Sequence, residues 1–590
     1  MYYINYNKEI KKLYNLQNLQ NFIDTVINPE NIKVLNFNNS NLDVLPNLDK
    51  FINIKKLYCK NNNLTQLPDL NNLYNLNYID CSKNLLTELP DISNLNNLNH
   101  LICNNNKLTK ITNLPKYINY ILCQNNELTD LSVPINLKNL YCYNNKLKEL
   151  PDLSKLFNLT ILHCDNNELT NLPKFNNANI LKILYCSNNK LTKLPNNLVN
   201  FYNLKILHCH NNNLINLVKL PYNLQDLNIN NNTKLKKNIF NLLPNNLKKL
   251  SCNNSNLKKI KQKFITFINL KYLSCKYNNN IDLINLPYNI EYLDCSNSSL
   301  TNLNLQNLTN LKILKCNNNK LNTLTINPYN NLEYVNISSN IFNNIDELVI
   351  NLNPETLTKL ILKNNTISIF PDLNKLIKLK VLDCSVNKLI TIPNLLYLNQ
   401  LNELNLSYNN ISVIKNSHLP FNLKKLNVNN NNIKLLSRLP PLLKELYCIN
   451  NSLTEIDISY GLRILYCNSN RLKALPYIAS LEILNCSNNN LSIIPINFTL
   501  KILYCSNNNL NKLNFYNNLV KYPYIQELNC SNNNITDLKF LSKLINLKIL
   551  NCENNNITCL PSLPISLTYL QCDKNKITNV PYLNEKKCLK

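Results

Sequence analysis

Glycine is almost missing: the 590 residues contain one. Gly-rich phosphate loops and dinucleotide-binding turns need several positions that only glycine fills, so most nucleotide-dependent enzyme folds are disfavoured, and collagen-like segments and Gly/Ser linkers with them. There is no Trp and one Met. Arginine occurs only at Arg438, Arg463 and Arg471, although bidentate reading of phosphates and base edges favours it. Charged residues are 16% against 44% hydrophobic, which separates the chain from charge-rich disordered proteins. No stretch approaches the ~18 apolar residues of a membrane span. The start, MYYINYNKEIKKLYN, has Lys and Glu where a secretory signal needs an apolar run. Tyr2 excludes myristoylation, and Cys588, with two residues after it, lies outside a prenylation box. The expectation is a soluble intracellular chain, cytoplasmic, with no membrane partner.

Asparagine stands out among what is present. It makes up close to a quarter of the chain, about 130 residues. The net charge is +27, from 62 Lys+Arg against 35 Asp+Glu, and is nearly all lysine. Asn, Lys, Ile and Tyr together fit an AT-rich genome. The alternative explanation of the charge is a polyanion-binding surface.

Self-comparison decides the fold. The segments LTILHCDNNEL from Leu159, LKILYCSNNKL from Leu181, LKILHCHNNNL from Leu204, LRILYCNSNRL from Leu462 and LKILYCSNNNL from Leu500 share L-x-x-L-x-C-x-x-N-x-L. About 26 such units run from Ile32 to Leu567, with a mean period of about 21 residues. The first, fourth, sixth and eleventh residues are expected to point inward, and the third and fifth outward along a short strand with period two. The ninth residue, as at Asn167, Asn189 and Asn212, is expected to turn inward and satisfy backbone groups of two neighbouring coils. Ser40, Ser255 and Ser298 replace it as shorter substitutes. Near Cys275 the unit reads CKYNNNIDL, one residue out of phase, so a local bulge is expected there. Returns such as LPDLNNLYNLNYI from Leu67 suit a 3₁₀ or short helical turn, whereas LPYNIEYL from Leu286 and LPISLTYL from Leu563 suit an extended path.

This pattern resembles the leucine-rich repeat over nearly the whole chain. The resemblance implies an α/β-type repeat solenoid: a horseshoe with a parallel concave β-sheet and a 3₁₀ or extended convex side. Residues 1–31 are expected to form an N-terminal cap, 32–580 the solenoid and 581–590 a C-terminal tail. Irregular units near 230–281, 341–356 and 511–524 are expected to carry curvature changes or inserted binding elements. The Cys, the Asn excess and the LPxLxxL returns look most like the repeat proteins of giant DNA viruses of amoebae, mimivirus-like, with AT-rich protists as the alternative source.

Twenty of the 22 cysteines occupy the sixth position. Where Cys is absent the position holds Phe37, Ile229, Ile337, Leu362, Leu406 or Val428, so it wants an apolar side chain. A stack of twenty buried, reduced thiols is expected. Zinc needs clustered ligand pairs, which are lacking, so no metal and no cofactor is expected. His163 and His208 hold the fifth position two coils apart, about 10 Å by strand spacing. No nucleophile joins them, because Cys164 and Cys209 alternate inward. No catalytic residues are assigned, and the segments outside the repeats are too short for a catalytic domain.

The outward positions assemble two apolar and aromatic stripes. One holds Ile161, His163, Ile183, Tyr185, Ile206 and His208; the other holds Tyr447, Ile464, Tyr466, Ile502 and Tyr504, with Ile483 and Asn485 between. Such patches mark protein interfaces, although β-branched and aromatic residues also favour strands. These residues are the candidate partner-binding surface of a non-enzymatic protein-interaction scaffold, its partner a host protein if the source is viral. Lysine recurs at the second position, at Lys182, Lys205, Lys248, Lys271, Lys312, Lys380, Lys424, Lys444, Lys501 and Lys548. That row supports a disfavoured alternative, salt-sensitive nucleic-acid binding with Tyr185 and Tyr466 stacking on bases.

Overall fold

The computed structural model describes residues 3–5, 20–21, 23–175, 180–236, 239–257, 262–279, 281–392, 394–415, 418–458, 460–513, 522, 524–578 and 588–589. Most of the expected cap over 1–31 and tail over 581–590 lies outside them, as do 514–521. The chain divides into two compact units, residues 1–298 and 299–590.

Each unit is a stack of coils, and each coil gives one three-residue strand. In the first unit the strands succeed one another from Val34–Asn36 to Tyr292–Asp294, every one parallel to the next. Tyr3–Asn5 pairs in parallel with Val34–Asn36. In the second unit the series runs from Ile313–Lys315 to Tyr569–Gln571, and Cys588–Leu589 pairs beyond it. Register is in phase with the repeat: Ile161, Leu162 and His163 face Ile183, Leu184 and Tyr185. Helix is scarce. Asp346–Asn351, inside the irregular segment 341–356, is a short α-helix.

The returns divide into the two expected kinds. After Leu67 the long return makes successive tight turns, with Leu73 N–H donating to Leu70 O at 3.0 Å and Leu76 N–H to Leu73 O at 3.0 Å. Full 3₁₀ turns form at Asn196–Asn200, Phe240–Leu242, Gln262–Thr266 and Lys539–Lys543. Elsewhere the return is extended enough to pair: Lys110–Ile111 lies beside Asp130–Leu131 in the first unit, and Leu435–Leu436 beside Glu455–Ile456 in the second.

The core is one column per inward position. Leu181, Leu184, Cys186 and Leu191 are all fully buried, as are Leu204, Leu207, Cys209 and Leu214. Packing is thus between identical positions of adjacent coils, and each coil depends only on its neighbours. Nineteen sixth-position thiols are buried, and burial raises thiol pKa values there, Cys252 and Cys467 to about 12. They act as small hydrophobes. Cys572 departs from the expected twenty: it is only partly buried. Cys559 is exposed.

The ninth-position asparagine stitches the coils. Asn189 Nδ2 donates to Cys186 O at 3.2 Å in its own coil and to Cys164 O at 3.1 Å in the preceding one; its Oδ1 accepts from Leu169 N–H at 2.9 Å. Asn167 does the same with Cys164, Cys142 and Leu147. Ser255 keeps one bridge, Oγ to Ile229 O at 3.0 Å. The expected bulge near Cys275 does not disturb the ladder. Asn278 holds the ninth-position bonds to Cys275 O and Cys252 O, and the extra residue falls after it, before buried Ile281.

The residue just before the ladder asparagine is left-handed in every coil, with φ near +55° from Asn39 to Lys574. L-residues pay for this conformation, and asparagine tolerates it best after glycine. Asparagine fills most of these positions, and its side chain adds an outer ladder: Asn61 Nδ2 donates to Asn39 Oδ1 at 2.8 Å, Asn450 to Asn430 at 2.7 Å and Asn554 to Asn532 at 2.8 Å. Val386 is the poorest occupant, a β-branched residue at φ 56°.

Two outcomes are expected in denaturation experiments. Asn189→Ala strands the Leu169 N–H in a buried turn and leaves Cys164 O and Cys186 O with one amide donor each, from Asn167 and Asn212, and should cost about 1–3 kcal/mol. Val386→Asn should stabilise by about 1 kcal/mol, since it relieves the left-handed β-branched residue and restores an outer-ladder position. An unchanged midpoint for either variant contradicts the assigned role.

Candidate binding surface on the sheet

The strands carry their third and fifth residues on the outer face of the sheet, and the seventh residue lands beside them. In the first unit Ile161, Ile183 and Ile206 lie in register, as do His163, Tyr185 and His208. All six are half-buried rather than the freely exposed stripe expected, because each ring packs on the ring of the next coil. Tyr185 sits 4.9 Å from His163, edge-on, and 4.9 Å from His208, tilted.

Polar partners complete this patch. Asp165 Oδ2 lies 3.0 Å from His163 Nε2, while its Oδ1 accepts from Ser187 N–H in the next coil. Tyr143 stacks on the other side of the His163 ring at 4.2 Å. Asp226 sits between His208 Nε2 and Lys249 Nζ, 3.3 Å from each. The His208 contact has ion-pair distance without hydrogen-bond geometry. Burial works against ionisation of Asp226, but His208 and Lys249 more than offset it, and its pKa is lowered. Burial raises the Tyr185 phenol, with Asp226 and Asp165 adding to the effect. Burial lowers His210 and His208 adds to that, against the opposing pull of Asp165. Cys164 and Cys209 are buried in the core, away from the imidazoles.

A second aromatic run in the same unit lies nearer its start. Tyr58, Tyr78, His100 and Tyr120 follow one another at 5.1, 5.5 and 4.5 Å, the last pair nearly parallel. Burial and Lys56 lower the His100 pKa.

In the second unit Ile464, Ile483 and Ile502 lie in register, and Tyr466, Asn485 and Tyr504 form the adjoining row. Tyr447 stacks on Tyr466 at 5.4 Å. Each outer tyrosine leans on a carboxylate: Tyr447 O–H donates to Glu445 at 3.1 Å, and Tyr504 O–H to Glu527. Burial and Glu445 push Tyr447 up to about 12, and the Glu527 bond with burial does the same for Tyr504. The five residues Tyr447, Ile464, Tyr466, Ile502 and Tyr504 thus form one connected half-buried surface.

The patch residues missed in the sequence are Asp165, Tyr143 and Asp226. The alternation that turns the third and fifth positions outward extends to the seventh, which would have found Asp165 and Tyr143. Asp226 belongs to the next coil, and only the register brings it to His208. The ten second-position lysines are all exposed. Lys271 and Lys501 are tied in ion pairs to Glu291 and Glu482 at 2.7 Å. Among the described residues no group of three or more His, Cys, Asp or Glu is placed to hold a metal ion, and no helix is long and apolar enough to cross a membrane.

The family model for leucine-rich repeats in two copies matches residues 525–564. No curated protein matches the sequence. Among solved structures, YopM from Yersinia enterocolitica WA-314 is 24% identical with a TM-score of 0.52, over 92% of this chain and 91% of that one. A plant peptide hormone receptor, RGFR1 in complex with RGF2, is 20% identical with a TM-score of 0.52, over 90% and 95%. A TDR receptor is 20% identical with a TM-score of 0.51, over 90% and 93%. These likenesses establish the fold, a parallel-sheet solenoid of the leucine-rich-repeat type.

The lowered imidazoles make a pH test. An NMR titration should find His100 and His210 taking up protons below the ordinary histidine range near ~6.5. The unfolded chain then binds protons first, so both residues favour the folded state above that range, and the contribution is lost as pH falls. Titration of both at or above the ordinary value contradicts the burial assigned to them.

Proposed function

We propose that the protein is a non-enzymatic scaffold that binds a protein partner on its sheet face. The observation that carries this reading is the row His163, Tyr185 and His208 with Ile161, Ile183 and Ile206 beside it, a rigid apolar and aromatic surface edged by Asp165, Asp226 and Lys249. Half-buried aromatic side chains held by their neighbours lose little rotamer freedom on binding, which favours affinity from many modest contacts. The row Tyr447, Ile464, Tyr466, Ile502 and Tyr504 is a second surface of the same chemistry. No nucleophile accompanies the imidazoles, which favours binding over catalysis. The structural neighbours support the reading by analogy: RGFR1 is a plant peptide hormone receptor. The Asn- and Cys-rich repeat resembles those of giant DNA viruses of amoebae, and on that reading the protein works inside the host cell and its partner is a host protein.

The ten exposed lysines favour a second reading, nucleic-acid binding driven by phosphate attraction. Affinity capture from host-cell lysate, with and without nuclease and at low and high salt, separates the two. A discrete protein set is expected to survive nuclease and salt and to be lost on Tyr185→Ala with His208→Ala. A signal abolished by nuclease and salt would replace the scaffold reading with the nucleic-acid one.

A further inference from the structure

A column of apolar side chains runs along the turns that precede the strands, outside the eleven-residue pattern and apart from the sheet face. Two residues before the first leucine of the coil, six coils of the first unit place Tyr74, Phe157, Tyr202, Tyr222, Ile268 and Tyr288, which are 56, 52, 58, 68, 50 and 47% exposed, while polar residues such as Asn96, Lys116 and Asn245 hold the position in coils between them. Strand propensity does not account for them, because they lie in turns. None of them stacks on another ring among the described residues. Tyr202 and Tyr222, and likewise Ile268 and Tyr288, belong to adjacent coils and lie one strand spacing apart, about 4.8 Å. It is an exposed apolar ridge of the kind that marks an interaction surface.

The backbone beneath the ridge is already satisfied. The residue after each ridge position is usually asparagine, and its amide reaches back to the ridge carbonyl of the preceding coil. Asn97 Nδ2 donates to Tyr74 O at 2.8 Å, Asn223 to Tyr202 O at 2.8 Å and Asn289 to Ile268 O at 2.7 Å. Moving the ridge out of water therefore strands none of these carbonyls, which would otherwise be the main penalty of an apolar setting. The second-position residue lies three beyond the ridge position: Lys205 shares the coil of Tyr202, and Lys182 and Lys248 belong to coils that adjoin ridge-bearing ones. Lys182, Lys205 and Lys248 are exposed and make no ion pair among the described residues.

We propose that this ridge docks on an anionic lipid surface, with the aromatic and aliphatic tips in the headgroup region and the lysines against the acidic headgroups. The two parts correspond to the two attractions of interfacial binding, apolar burial and charge. Charge complementarity selects this occupant. A second copy would bring a like lysine row and a like net charge of +27 to the contact. Nucleic acid would satisfy the lysines and leave the apolar ridge in water. A lipid surface needs no pocket, and a row of side chains borne singly on separate coils offers none. Surface docking requires no spanning segment, so it is compatible with the lack of long apolar runs, and it departs from the expectation of no membrane partner.

The test is vesicle co-sedimentation of the full chain with phosphatidylcholine alone and with phosphatidylcholine plus phosphatidylserine. Binding to the mixed vesicles is expected, weak on phosphatidylcholine alone and reduced by salt. Phe157→Ser with Tyr202→Ser and Tyr222→Ser should lower the affinity by about tenfold at unchanged circular dichroism. Lys182→Gln with Lys205→Gln and Lys248→Gln should remove most of the salt-sensitive part. Should the triple serine variant prove unstable, Tyr222→Ser alone, with quenching of tyrosine emission by nitroxide-labelled lipid, reads the same contact. Failure to bind mixed vesicles overturns the proposal. So does full binding by a folded triple serine variant, which would mean adsorption by charge alone. A triple serine change that converts an oligomer to a monomer, without vesicle binding by the parent, would reassign the ridge to contacts between copies.

Discussion

Every coil of this protein must reverse its backbone in two residues at the end of its strand, and the rest of the architecture hangs on how that reversal is made. The first residue of the pair is left-handed and the second turns its side chain into the core. Glycine is the ordinary solution for the first and is lacking here. Asparagine solves both. Its short amide tolerates the left-handed region, and when buried it supplies two donors and an acceptor to backbone groups that the turn leaves unpaired. A third asparagine, just before the first leucine, ties down the next turn. Much of the asparagine excess is thus structural, one column after another, whatever the base composition of the genome contributed.

The inward columns and the ninth-position ladder were legible in the sequence because they recur as residue identities at fixed spacing. The left-handed position was not, because it is a conformational requirement rather than a hydropathic one. Lys83, Tyr277, Val386 and Tyr408 occupy it beside the asparagines and blur the pattern. The extra residue after Asn278 was legible as an insertion but not in its place, since the ladder bonds decide which side of the asparagine absorbs it.

The surfaces were only partly legible, for a related reason. Outward positions within one strand follow from alternation, so Ile161, His163, Tyr185 and their counterparts could be named. Contacts between coils follow from register and side-chain reach, so the pairing of His208 with Asp226, or of Tyr504 with Glu527, had no signal in either coil alone. The degree of burial was equally hidden: coils stacked this closely let each aromatic ring shade the next, and a stripe that looks exposed along one strand becomes a packed ladder across several. The ridge of Tyr202 and Tyr222 escaped notice because it lies in the turns, where the repeat is less regular in length.

The substitution of asparagine for glycine also bears on chemical ageing. An asparagine side chain deamidates when the following backbone nitrogen attacks it to close a succinimide ring, and this is easiest when the next residue is glycine, with no Cβ to obstruct the approach. The single glycine, Gly461, follows Tyr460. A chain with asparagine near a quarter of its residues therefore contains no Asn–Gly step at all. The choice that lets asparagine make the turns also removes the sequence context in which so many asparagines would be shortest-lived.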